Sequence, residues 1–111
     1  MEPMDEYVKR MKLKRIDFIK IDVEGAELLV LKGAAGVLES LHPAVYCEVE
    51  ARWTQRMGYM PDELFMYMKG KGYLAYVLSD DGKRLVDGYK EEFGDYLFLH
   101  SESTHVMTQQ A

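Results

Sequence analysis

Residues 17–27 read Asp-Phe-Ile-Lys-Ile-Asp-Val-Glu-Gly-Ala-Glu (DFIKIDVEGAE). Ile16, Phe18, Ile19 and Ile21 form a short apolar run broken only by Asp17 and Lys20, and it stops at Asp22-Val23-Glu24-Gly25. A run rich in β-branched and aromatic residues and closed by a glycine turn predicts a strand buried on most of its surface. From Ala26 through Leu31 the composition turns helical. The carboxylates of Asp22, Glu24 and Glu27 therefore fall where a strand ends and a helix begins. In open α/β sheets that corner, outside the carboxyl ends of the strands, is where ligands bind.

The rest of the chain continues the alternation. Met4, Tyr7, Val8 and Met11 share one face of a short amphipathic helix, with Pro3 and Asp5 suited to its start. After the corner, a helix over about 26–32 is followed by a second helical piece carrying Val37, Leu38 and Leu41, which His42-Pro43 ends. Residues 44–50 (AVYCEVE) alternate as a strand, and residues 51–60 read as a loop bearing Arg52, Trp53 and Arg56. Pro61, with Asp62 and Glu63 behind it, opens a helix that Gly70 or Gly72 closes. Residues 73–78 predict a third strand, Asp80-Asp81-Gly82 a turn into a short returning β segment at 84–86, and 96–99 the last strand. Strand–helix alternation of this kind predicts a mostly parallel sheet with an antiparallel final strand and helices on both faces. Residues 101–111 read as a polar, weakly patterned tail.

The chain has 111 residues and a net charge of −5, so one domain or part of one is expected, without a basic surface for nucleic acid or an anionic membrane. The cluster Lys9, Arg10, Lys12, Lys14 and Arg15 reads as a solvated face, since Asp5, Glu6 and Asp17 flank it. No apolar stretch approaches the roughly 20 residues that cross a bilayer. The single cysteine, Cys47, excludes an internal disulfide and fits a reducing, cytoplasmic setting; in a strand it reads as a buried small hydrophobe. His42 reads as a turn residue, and His100 and His105 lack partners at metal-ligand spacing, so no metal site is predicted.

DFIKIDVEGAELLVLKGA (17–34), followed by a helical piece, a proline and a strand ending in Glu48-x-Glu50, resembles the FkbM-type methyltransferases. The resemblance spans about Asp5 to His100. It implies a Rossmann-like, class I methyltransferase fold, S-adenosylmethionine as cofactor, and a hydroxyl of a sugar or other secondary metabolite as acceptor. Such enzymes begin with a strand and a Gly-rich turn whose backbone N–H groups approach the cofactor. This chain has no such run, so residues 1–100 correspond to the C-terminal half of that domain, its fourth to seventh strands, and the isolated chain is expected to be inactive.

By resemblance Asp22 and Glu24 are the catalytic candidates, with Asp22 assisting proton loss from the acceptor; Asp22 and Gly25 face the cofactor. Glu48, Glu50 and Trp53 are candidates for the acceptor side, with Arg52 or Arg56 available for an acidic group. The alternative role for Asp22 is as a cap of the following helix, and Glu27 is an acid expected in a first helical turn. Two other readings stay open: a non-catalytic α/β association module from a truncated or split protein, and a magnesium-dependent phosphate enzyme built on the paired carboxylates. The strand at 16–21, central in the full sheet, would here be an edge, which predicts homo-oligomers through edge pairing.

Overall fold

The computed structural model describes residues 2–102. In chain order the elements are α1 (Met4–Met11), β1 (Phe18–Ile21), α2 (Glu27–Lys32), α3 (Ala35–Ser40), β2 (Ala44–Glu48), α4 (Ala51–Arg56), α5 (Pro61–Gly70), β3 (Tyr73–Ser79), β4 (Gly82–Val86) and β5 (Asp95–His100). Most boundaries follow the sequence signals. Pro61 opens α5, whose Leu64, Phe65 and Met68 are buried. Residues 51–56, read as loop, instead form α4, a helix too short for its pattern to stand out. His105 and most of the polar tail lie outside the described residues.

The five strands are ordered β1-β2-β5-β3-β4. The expectation of a mostly parallel sheet is corrected: β1–β2 is parallel, whereas β2–β5, β5–β3 and β3–β4 are antiparallel. β5 enters between β2 and β3, and β4 folds back from β3 across Asp80-Asp81. β1 is an edge strand, as the sequence suggested, but it alternates rather than being buried throughout. Ile19 and Ile21 face the core, while Phe18 and Lys20 face outward.

The helices are also distributed otherwise than expected. The main core joins Ile19, Ile21, Val45, Cys47, Tyr96, Phe98, Tyr73, Ala75 and Val77 of one sheet face to the apolar stripes of α1, α2, α3 and α5. The opposite face contributes only Ala44, Tyr76 and Leu99, with Leu97 partly buried against them, and no helix of the described residues joins this cluster. The result is two layers, 21 Å along the shortest axis. The physical reason is visible in the connections: the crossovers from β1 to β2 and from β2 to β3 both lay their helices on the same face.

Polar contacts lock this layer. Asp5 of α1 accepts hydrogen bonds from the N–H groups of Gly36 and Val37, at 2.8 and 2.9 Å, so the open start of α3 is capped by another helix. Tyr96, fully buried in β5, accepts from the Lys90 N–H at 2.9 Å and donates to the Lys90 carbonyl at 2.8 Å, tethering the loop before its own strand. No helix of the described residues is long and apolar enough to cross a membrane.

Candidate functional site

The corner at the end of β1 is built around a glutamate that the sequence assigned to helix electrostatics. Glu27 is buried, and its two carboxylate oxygens accept the N–H groups of Val23 (3.0 Å) and Gly25 (2.9 Å). Those bonds fold residues 22–25 into a fixed turn. Glu24 sits at φ 48° and Gly25 at φ 105°, both in the left-handed region. A Cβ at position 25 would lie 2.5 Å from the Trp53 carbonyl oxygen and 2.9 Å from Met57 Cγ, so α4 packs directly on the glycine. Tyr59 closes the turn from above, its hydroxyl donating to the Gly25 carbonyl at 2.7 Å.

This turn presents Asp22 and Glu24 to solvent and keeps Gly25 buried. Neither acid caps α2: the residue at its N-cap is Ala26, and no side chain bonds there. Carrying the β1–β2 register one step past Ile21 and Cys47 places Asp22 beside Glu48, and Glu48 lies directly opposite Asp95 of β5. Three carboxylates therefore stand at neighbouring register positions, at the carboxyl ends of β1 and β2 and the amino end of β5. Burial raises the Glu48 pKa, and the charges of Asp22, Glu50, Asp95 and Glu27 raise it further. Burial and the same acidic surroundings also push the Cys47 thiol well up, which leaves it an inert core residue. Asp95 was not singled out from sequence. Its signal is the strand DYLFLH running antiparallel to AVYCE, a pairing that local pattern does not specify.

The other acceptor-side candidates sit elsewhere. Glu50 is held by Arg52 at 2.9 Å. Trp53 lies on α4, with the guanidinium groups of Arg52 and Arg56 over its ring at 4.9 and 5.0 Å, so both arginines are engaged by the tryptophan. Glu50 and Arg52 do line an open groove of about 880 Å³ with Tyr89 and Phe93, next to the acidic corner. A larger apolar share lines a second cavity of about 580 Å³ between α5 and β4, which reaches Phe65 and Phe98 but none of the predicted site residues.

At the opposite end of the sheet the fold joins two histidines that are far apart in sequence. The rings of His42 and His100 stack with centroids 3.6 Å apart and planes 10° apart. His42 has φ 52°, and Gly72 lacks the Cβ that would meet His100 Nε2 at 2.7 Å. With Glu102, the pair is the only group among the described residues whose donor atoms come within metal-binding reach of one another, at 4.8 Å or less. His100, however, already accepts the Glu102 N–H on Nδ1 at 3.1 Å, and His42 Nε2 lies 3.0 Å from the Glu39 carbonyl. The geometry is that of a stacked pair in which each ring already has a nitrogen in a hydrogen bond.

That pair has a pH consequence. Burial, then the neighbouring His42, lower the His100 pKa below its ordinary value near 6.5. Above that value the contribution of His100 to stability is fully present. As pH falls below it, the unfolded chain takes up a proton that the folded chain resists, and stability is lost. Urea midpoints measured from pH 7.5 to about pH 5.5 fall with a steeper slope in the wild type than in His100→Gln. Equal slopes would remove the assignment.

A mixed α/β layer with a carboxylate corner at a strand end defines the class of protein. Residues 1–75 match the family model described as the methyltransferase FkbM domain, and the chain belongs to that family. No curated protein and no solved structure matches it.

Proposed function

We propose that this chain forms the acceptor side of an S-adenosylmethionine-dependent methyl transfer to a hydroxyl oxygen of a sugar or secondary metabolite, on a Rossmann-like sheet. The observation that carries the reading is the meeting of Asp22 and Glu48 at the carboxyl ends of β1 and β2 in a chain of the FkbM family. Two carboxylates side by side can orient an acceptor hydroxyl and take its proton. Asp22, the exposed member, receives the proton. Glu48, made more basic by burial and then by its acidic neighbours, holds the hydroxyl in place. The groove bearing Glu50, Tyr89 and Phe93 begins two residues beyond Glu48 in sequence, and its mix of aromatic and carboxylate groups suits a polyhydroxylated acceptor. A cytoplasmic setting agrees with the single, buried Cys47.

The cofactor itself does not fit the residues present. The N–H groups of Val23 and Gly25 are taken by Glu27, and no glycine-rich turn follows a strand to replace them. Asp22 and the Gly25 turn can border a cofactor but not grip one. Calorimetric titration of the chain with S-adenosylmethionine is expected to give no saturable heat up to about millimolar ligand. Micromolar binding would overturn this division of labour. Backbone NMR titration with simple sugars is expected to shift the Asp22, Val23 and Glu48 amides, with the shifts lost in Asp22→Asn; no response at these amides would overturn the acceptor assignment.

The non-catalytic reading, an association module, is supported by one separate observation, the sheet face that no helix of the described residues covers. Nothing in the geometry favours a magnesium-dependent phosphate enzyme. Among the described residues the metal-spaced donors are those of His42, His100 and Glu102, at the other end of the sheet.

A further inference from the structure

The cavity of about 580 Å³ between α5 and β4 arises where the helix layer stops short of the sheet edge. α5 packs on β3 and β5, with the Phe65 ring edge-on to Tyr96 and tilted against Phe98. β4 is the outermost strand on that side. Its Arg84 and Val86 pair with Val77 and Ala75, both core residues, so they stand on the helix-bearing face. Arg84 is nevertheless exposed and Val86 only half-buried. The loop after β4 supplies the remaining wall with Asp87, Lys90 and Glu92. Tyr96 holds that loop through the backbone of Lys90 and Phe93, so the wall is preformed.

Floor and rim differ in chemistry. Phe65, Tyr73, Ala75 and Phe98 are buried at the bottom. The charged lining residues are Lys69, Arg84 and Lys90 against Asp87 and Glu92, an excess of one cation in a chain of net charge −5. Lys90 is committed to Asp87 at 2.7 Å. Lys69 and Arg84 form no ion pair among the described residues; the Arg84 guanidinium lies over the Phe93 ring at 5.3 Å. A concave apolar floor with a few charges at its rim is the arrangement that binds and orients a small amphipathic molecule.

We propose that this cavity binds an alkyl monocarboxylate, its chain on the floor of Phe65, Ala75 and Phe98 and its carboxylate at Lys69 and Arg84, one cation from each wall. The single excess positive charge matches one carboxylate, and Arg with Lys is a donor set that carboxylates favour. The Phe65 and Phe98 rings are inclined at 57° to each other, so the floor is corrugated and offers no flat face on which an aromatic body could stack. A flexible chain follows such a floor. The proposal is independent of the acceptor corner, whose residues the cavity does not touch.

Backbone NMR titration of the full chain with decanoate tests the site. Saturable shifts are expected at the Ala75, Arg84, Val86 and Lys90 amides, with a Kd below about 1 mM. Decyltrimethylammonium, a cation on the same chain, is expected to bind there at least about tenfold more weakly. Replacing both cations (Lys69→Ala with Arg84→Ala) raises the decanoate Kd at least about tenfold, since two charge-assisted bonds are lost. Glu92→Gln, which removes a repelling charge from the rim, lowers it about two- to threefold. All three positions are exposed, so these variants leave the core intact. Naphthoate, the same headgroup on a flat body, is expected to bind more weakly than decanoate. No saturable response at these amides up to about 5 mM decanoate overturns the site, as do shifts confined to Tyr76, Leu78 and Leu97 on the opposite face. Equal affinity for decanoate and decyltrimethylammonium overturns the anion assignment, and tighter binding of naphthoate overturns the alkyl one.

Discussion

Gly25→Ala is expected to lower the unfolding free energy by about 4 kcal/mol, the largest effect of any single methyl group added to this chain. Two costs combine. At φ 105° an L-residue is strained, and the added Cβ would sit 2.5 Å from the carbonyl oxygen of Trp53. That atom belongs to helical backbone, so relief requires α4 to move as a unit. Gly58 separates the two costs. It also has positive φ, at 85°, but nothing lies within 4 Å of its added Cβ. Gly58→Ala should therefore cost only about 1 kcal/mol. Urea denaturation of both variants checks the difference, and equal losses would show that close approach of α4 contributes nothing. A domain of this size has about 5–15 kcal/mol in total, so Gly25→Ala should be near the limit of folding at 37 °C.

Glu27→Ala is the second large effect, expected at about 3 kcal/mol. Removing the buried carboxylate takes the acceptor from two N–H groups, that of buried Gly25 and that of the more exposed Val23, and an unsatisfied buried donor costs about 1–3 kcal/mol. Glu27→Gln keeps one acceptor oxygen but turns an NH₂ group toward the other N–H, and should recover about half of the loss. Native-state hydrogen exchange gives a second readout, since protection at the Val23 and Gly25 amides should fall before that of the sheet. A loss below about 0.5 kcal/mol in Glu27→Ala would mean that the turn is held by other contacts.

Much of this was legible in the chain. The turn at 22–25, the proline-started α5 and the hairpin at Asp80-Asp81-Gly82 are local signals, and the structure forms each of them. What sequence left out is non-local or depends on direction. The insertion of β5 between β2 and β3 reverses most pairings, yet nothing within 95–100 states which neighbours it will choose. Phe18 reads as part of a buried run that Lys20 interrupts, but both are the outer side of a period-two strand that no helix of the described residues covers. Glu27 was legible as an acid in a first turn and not as the clamp on the preceding turn, because both roles call for the same residue type. Asp22 and Glu48 were each visible; that they are neighbours follows only from the parallel register of β1 and β2. His42 and His100 are brought together by the fold alone.

β5, the last strand of the described residues, occupies the middle of the sheet. The family match ends at residue 75, so what most defines the family is translated well before the strand that joins β2 to β3. During synthesis, β1–β2 and β3–β4 can form only as two separate pieces, each with an unpaired inner edge. The sheet can thus close only once residues 95–100 have emerged, and the nascent form before that point is the state in which a chaperone or a protease would find it most exposed.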